Sequence, residues 1–393
     1  MTASARTPAW AEWRPHELGP YTVGIEEEVM LLDPAAWSLA HRIESVLPRI
    51  PSEVAGQTTA ETHGSALELQ TEVHRDVGAA RAELGELRRR LGSTLGPMHL
   101  RAACAGTHPF AVWQEIAVSA GERYQFVYGS MRELARREPT FALHVHVGVP
   151  DPETAIRVAN RMRGHLPLLL ALSANSPFWQ GRDTGLASAR TPLFQAFPRV
   201  GVPQLFESYE QYVEAVDLLI RCDAVPEPTF LWWDVRPQPR FGTVEVRIMD
   251  VQTRIEDTAV LAALTQCIVR MEAEEGFVSD SLVKQAQVIS ENRFLAARDG
   301  IEAELIDPDL ERRIPLSGMV EDLLAACRPH AQDLGCEAEL EAVADLARSN
   351  GASKQIAISR RQRTLAGLVA TLADDFVPRS FSPRPQESRT ASA

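Results

Sequence analysis

The chain has 393 residues, 45% of them hydrophobic and 24% charged, with a formal net charge of -13 at pH 7. This is material for a large core. The negative charge argues against nucleic acid as a partner, and any phosphate bound here calls for a bridging cation.

Met1 to Pro15 holds no continuous apolar stretch of the kind a secretory signal needs, and the longest apolar run, Leu166 to Leu172, is far short of the roughly 20 residues that span a bilayer. Five cysteines, odd in number and without close spacing, suit isolated reduced thiols rather than a disulfide framework or a zinc knuckle. These features predict a cytoplasmic protein with no membrane partner.

In chain order, Tyr21 to Leu32 and Ala66 to His74 read as strands, followed by a helical pattern from Asp76 to about Ala103. Glu122 to Arg137 and Pro152 to Leu172 read as helices, with the strand Phe141 to Val149 between them. Asn175 to Phe206 has little periodicity and is long for a plain connection, which suggests a lid or binding element. Leu231 to Arg236 and Thr243 to Asp250 read as a strand pair joined through Pro237 to Gly242. From Glu256 the pattern is almost wholly helical. The expected organisation is a single domain over residues 1–376, with a sheet core at about 20–250, a helical part at 256–376 and a disordered tail at 377–393 rich in Pro, Ser and Arg.

Side chains alternate along a strand, so parity sorts each predicted strand into two faces. Val23, Ile25, Val29 and Leu31 share a face with Glu27, which leaves Glu26 and Glu28 opposite. Leu67, Leu69 and Val73 oppose Glu68, Gln70, Glu72 and His74. Phe141, Leu143, Val145, Val147 and Val149 oppose His144 and His146, and Val244, Val246 and Ile248 oppose Thr243, Glu245 and Arg247. Four segments thus offer one apolar face for helices and one face of carboxylates and imidazoles. A merely solvated sheet face would mix Thr, Ser, Lys and Gln, whereas these carboxylates would repel one another without cations. The ligand set suits Mg²⁺, or Mn²⁺, better than zinc. No G-x-x-x-x-G-K-[ST] loop, no G-x-G-x-x-G after a strand and no Ser or Cys nucleophile motif is present.

The ordered motifs Gly24-Ile25-Glu26-Glu27-Glu28, Leu67-Glu68-Leu69-Gln70-Thr71, Gly106-Thr107-His108-Pro109-Phe110, Glu122-Arg123-Tyr124 and His144-Val145-His146-Val147-Gly148 resemble the type 2 glutamate-cysteine ligase family of carboxylate-amine ligases. Asn175-Ser176-Pro177, Gly181-Arg182-Asp183-Thr184-Gly185, Ser188-Ala189-Arg190, Phe197-Pro198-Arg199, Trp233-Asp234-Val235-Arg236-Pro237, Thr243-Val244-Glu245-Val246-Arg247 and Asn292-Arg293-Phe294 continue the match. The resemblance covers about Pro20 to Asp307 and weakens beyond.

It implies an α+β fold: a glutamine-synthetase-like curved antiparallel sheet with an open polar catalytic face and helices on the other. It further implies ATP and Mg²⁺ as cofactors, glutamate and an amine such as cysteine as substrates, and a homodimer. By the same resemblance Glu26, Glu28, Glu61, Glu68, His144 and Glu245 are expected metal ligands. Arg247, with Glu245, is expected to act in catalysis, and Arg182, Arg190, Arg199 and Arg236 to bind the cofactor. Where relatives often carry an acid about four residues before the second-strand glutamate, this chain has Gly64, which leaves the number of ions open.

The expected reaction is phosphoryl transfer from ATP to a carboxylate, attack of an amine on the acyl phosphate, and release of ADP and phosphate. Two other readings stand beside it. One is a zinc hydrolase built on His144 and His146, and the other a nucleotide-binding protein that keeps the sheet without turnover.

Overall fold

Residues Val23–Asp33 (β1) form the strand around which the sheet is assembled. The computed structural model describes residues 7–137 and 139–377. The other sheet strands are β2 (Ser38–Leu39), β3 (Thr58–Ala60), β4 (Ala66–Gln70), β5 (Arg101–Ala103), β6 (Ala142–Gly148), β7 (Val235–Gln238) and β8 (Thr243–Asp250). The order is β7-β8-β6-β1-β4-β3, with β2 and β5 pairing the second half of β1, and each pairing is antiparallel. The C-terminal half of β1 is buried on both faces from Val29 to Leu32, and β2 and β5 pair along its edges there.

The apolar face carries α1 (Val77–Leu95), α2 (Pro152–Ser173) and α3 (Ile255–Glu274). Their starts are written in the sequence. Asp76 accepts the Ala79 N–H and Asp151 the Thr154 N–H, with Pro152 at the first helical position, where its missing donor does no harm. Helices Leu316–Leu334 and Glu337–Arg348 pack on α3. One apolar cluster runs from Val23 through the sheet and these helices to Phe376.

Several boundaries differ from the sequence expectations. The predicted helix to Ala103 ends at Leu95, because Gly96-Pro97 cannot continue it; His99 turns left-handed (φ 54°) and Arg101–Ala103 joins the sheet as β5. The predicted helix Glu122 to Arg137 breaks at Arg132 (φ 57°) into Glu122–Met131 and Leu134–Arg137. The second strand ends at Gln70, and His74 returns only as an isolated bridge to Val23. Leu231 to Arg236 is not one strand: Trp232–Trp233 pairs in parallel with Val200–Gly201, and the main sheet resumes at Val235.

The Asn175 to Phe206 region is not a free loop. It folds into the hairpin Phe178–Trp179/Arg182–Asp183, the short helix Arg190–Phe194 and the strand Val200–Gly201, and Asn175, Ser176, Ser188 and Arg190 are buried. Its first half therefore belongs to the body of the protein rather than to a lid. The hairpin Glu304–Asp307/Arg312–Pro315 interrupts the helical C-terminal part. Of the expected disordered tail at 377–393, all but Val377 lies outside the described residues.

Candidate active site

Strand register decides which polar side chains meet. Glu26 lies opposite His144 and Gln70, Glu28 opposite Glu68, Glu245 opposite both His146 and Arg236, and Thr59 opposite Glu68. The polar face across β8, β6, β1 and β4 thus gathers the acids and imidazoles that parity separated from the core. Glu61, one residue beyond β3, closes the group.

Three sets of ligand atoms lie within 4.8 Å of one another: Glu26/Glu68/His144, Glu26/His146/Glu245 and Glu28/Glu61/Glu68. His144 Nδ1 is 3.1 Å from Glu26 Oε2 and 3.9 Å from Glu68 Oε2, and His146 Nε2 is 3.4 Å from Glu26 Oε1 and 3.8 Å from Glu245 Oε1. The structure brings all six sequence-expected ligands together and adds His146, which shares the face of His144.

The electrostatics are those of a site short of positive charge. Burial, then the repulsion of Glu61, pushes Glu28 up to about 8. Burial and the charges of Glu26, Glu61 and Glu28 raise Glu68 well above the carboxylate range, and burial raises Glu61. Glu26 and Glu245 run the other way against their burial. His146 and His144 hold Glu26 low, and Arg236 and Arg247 hold Glu245 far below its usual value. Burial and Arg247 lower His144 to about 4, while Glu26 and Glu245 raise His146 despite its burial.

A divalent cation fits these residues on two observations. His144 Nε2 and His146 Nε2 are buried without a hydrogen-bond partner, which an imidazole nitrogen tolerates poorly. Each set contains at least two carboxylates and at most one imidazole, the chemistry of Mg²⁺ or Mn²⁺. The two histidines fall in different sets, so the zinc hydrolase reading loses its paired ligands.

The arginines sort differently from expectation. Arg247 meets Glu245 through Nη1, with Nη1 also 3.4 Å from His144 Nδ1, and its buried Nε has no partner. Arg236 is already occupied: Nε and Nη2 grip Glu245 at 2.9 and 2.8 Å, and Nη1 donates to the Thr229 and Leu231 carbonyls. Arg190 donates both Nη groups to the carbonyls of Arg247 and Ile248. Neither presents a free fork to a cofactor. Arg199 donates to the Phe230 carbonyl and lies over the Trp232 ring, and Arg182 is exposed in the outer hairpin away from the cavity.

A cavity of about 400 Å³ opens above the acids, walled by Arg123, Tyr124, Val127 and Met131 of helix Glu122–Met131 and by Phe194, Phe197 and Trp232. A second cavity of about 440 Å³ shares Glu26, His146 and Phe241 with it and runs along Gly24, Ile25, Arg14 and Arg240. Together they offer room for more than one small substrate.

Parity gives the faces of such residues but not three of the contacts that they make. Gln70 holds Glu68 and Gln238 holds Glu245, both amides on the same polar face. Glu27, which parity puts on the apolar face, is fully buried and clamped by Arg88 of α1 at 2.7 and 2.8 Å, with the Thr258 hydroxyl donating to it.

The model of glutamate-cysteine ligase family 2 matches residues 22–374. The chain belongs to this family. Two Rubrobacter xylanophilus proteins, provisionally named glutamate–cysteine ligase 2-1 and 2-3, are 40% and 42% identical over 359 and 357 residues, spanning 91% and 90% of this chain and 95% and 97% of theirs. A similarly named Sorangium cellulosum protein is 38% identical over 370 residues, 92% of this chain and 96% of its own.

Among solved structures, the bifunctional glutathione synthetase of Pasteurella multocida superposes with a TM-score of 0.67 at 14% identity, covering 91% of this chain and 51% of that one. The glutamate–cysteine ligase of Francisella tularensis in complex with AMP gives 0.66 at 15%, covering 94% and 90%. The fold is thus the glutamine-synthetase-like α+β fold of these ligases. As a family member the chain is an ATP-dependent carboxylate-amine ligase that forms an amide bond. Among the described residues no helix is long and apolar enough to cross a membrane.

Proposed function

We propose that this ligase joins the γ-carboxylate of glutamate to the amino group of cysteine through a γ-glutamyl phosphate. Glu26, Glu28, Glu61, Glu68, His144 and Glu245 would hold Mg²⁺, or Mn²⁺ in its place. The observation that carries the reading is the sharing of Glu26 and Glu68 between overlapping ligand sets on the floor of the cavity. Sites that share ligands keep cations close enough together to serve one triphosphate. Bound there, the ions would neutralise charge on the phosphate oxygens during transfer.

The chain's own residues supply the rest. A carboxylate oxygen of glutamate attacks the γ-phosphorus, the bond to the β–γ bridging oxygen breaks, and ADP leaves. The amine nitrogen attacks the acyl carbon, phosphate leaves with the electrons of the C–O bond, and the amine loses a proton. Arg247, fixed by Glu245 and with a free Nε, lies where it can meet negative charge on the phosphoryl group and on the tetrahedral oxyanion. Phe194, Phe197, Trp232 and Tyr124 wall the cavity and limit water that would hydrolyse the acyl phosphate. All five cysteines are free, which suits work in the reducing cytoplasm.

The test is release of ADP and phosphate by magnesium-loaded protein given glutamate and a panel of amines. Cysteine should give the fastest release together with a product one condensation heavier. Another amine outrunning cysteine replaces the acceptor, and no release with any carboxylate and amine pair refutes the reaction.

A further inference from the structure

We infer that Arg190 and Asp250 are positioning residues for Arg247, and that they act by holding open a bulge in β8 that aims its guanidinium into the site. The inference rests on the ligase reading only through the role given to Arg247. Its geometry stands apart from that reading.

The pairing of β8 with β6 shifts between Val246, opposite Val145, and Met249, opposite Leu143. Two residues, Arg247 and Ile248, therefore face the single residue His144. An extra residue in a strand leaves its carbonyls without ladder partners and bends the chain. Arg190 supplies the missing donors: Nη1 to the Ile248 carbonyl at 3.0 Å and Nη2 to the Arg247 carbonyl at 3.1 Å. At the other end of the same residue, the Arg247 N–H donates to the Asp234 carbonyl at 2.8 Å. The backbone of Arg247 is thus gripped at both ends, and its side chain is delivered onto Glu245 and His144.

The bulge also reverses the facing of the residues beyond it. Strict alternation from Thr243 would place Met249 on the catalytic face and Asp250 in the core. With one residue inserted, Met249 becomes fully buried beside Leu143, and Asp250 pairs with Ala142 on the side of the cavity. There its carboxylate accepts from the Asn175 N–H at 2.8 Å, from Ser176 Oγ at 2.6 Å and from Ser188 Oγ at 3.0 Å, and lies 3.7 Å from Arg190 Nη1.

Asp250 thereby folds the 175–190 segment so that Arg190 returns to the bulge that placed Asp250. Gly106 belongs to the same arrangement, since a Cβ there would meet the Asp250 carboxyl at 2.6 Å. Arg190 is almost fully buried and both its Nη groups are on main-chain carbonyls, so it is placed to hold backbone rather than to fork onto a substrate.

Two measurements test this. In a double-mutant cycle followed by ADP release, Arg190→Lys should lower kcat roughly 10- to 100-fold with each KM within about threefold of wild type. In an Arg247→Lys background the same change should cost less than about twofold, because its effect travels through Arg247. Equal losses in both backgrounds, or a tenfold rise in one substrate's KM at unchanged kcat, overturns the inference while leaving the ligase reading intact.

The second measurement needs no activity. A crystal structure of Arg190→Gln should show the Val246 to Met249 register relaxed and Arg247 withdrawn from Glu245. If that variant does not fold, the Asp250→Asn structure should show the same withdrawal. A bulge and an Arg247–Glu245 contact preserved in the variant that crystallises reject the inference. Should wild type release no ADP, the ligase reading fails and the crystal structure alone decides this one.

Discussion

Glu68→Gln separates a metal site from a solvated acidic patch, because the two predict opposite responses. The Glu68 carboxylate belongs to two of the three ligand sets, whose atoms lie within 4.8 Å of each other. Two unit charges at that spacing repel by roughly 3 kcal/mol at an effective dielectric near 20. Burial and three neighbouring glutamates already hold Glu68 well above the usual carboxylate range, so the metal-free fold favours its neutral form, which glutamine mimics.

Metal-free Glu68→Gln should therefore match wild type below about pH 5 and equal or exceed it at pH 8. Magnesium reverses the ranking. Wild type can ionise Glu68 to bind the ion, and the amide cannot, so apparent affinity should fall at least tenfold, about 1.4 kcal/mol of lost stabilisation. Thermal unfolding across a magnesium titration at pH 8, paired with calorimetric proton release, reads both effects. A variant less stable than wild type when metal-free, yet with undiminished magnesium stabilisation, would refute the reasoning.

Three further perturbations probe other parts of the structure. Burial and Glu61 raise the Glu28 carboxyl from 4.5 to about 8, so the stability it contributes is complete below pH 4.5 and lost as pH rises toward 8, near 1.4 kcal/mol per pH unit for one proton. Chelator-treated protein should accordingly melt at progressively lower temperature across that window, magnesium should flatten the trend, and a flat metal-free profile counts against it. Arg88→Met strands the fully buried Glu27 charge and should cost about 3–5 kcal/mol in denaturant unfolding, most of it recovered in Glu27→Leu/Arg88→Met. Gly242→Ala places a Cβ 2.5 Å from the Pro15 Cα at φ +63°, so the N-terminal segment should lift, with faster proteolysis before Pro15 and a change in Trp13 fluorescence.

Periodicity explains how much of the site was legible in the sequence. A strand's period of two is strict, so Glu26, Glu28, Glu68, His144 and Glu245 were assignable to one face before any pairing was known, and register then gathered them. Long-range compensation was invisible. Nothing local to Gly24-Ile25-Glu26-Glu27-Glu28 says that Glu27 answers to Arg88, which is 61 residues away. The bulge was equally hidden, because apolar alternation through Ile248 reads as an unbroken strand and the shift shows only at Met249 and Asp250. The arginines of the 175–206 region were found by motif, yet their partners are carbonyls and rings supplied by distant strands, which no spacing within the region encodes. Gly96-Pro97 was a stop signal in plain sight that helical periodicity overrode.

Counter-charge separates the acids that the protein itself neutralises from those that it does not. Glu26, Glu27 and Glu28 are consecutive, and all three lose water on folding. Glu27 receives a guanidinium and a hydroxyl from the protein and needs nothing more. Glu245 receives two guanidinium groups and an amide, and Glu26 two imidazoles. Glu28, Glu61 and Glu68 form the one ligand set without an imidazole, and their carboxyls are the raised ones. A cation entering this set would supply the counter-charge that the fold does not.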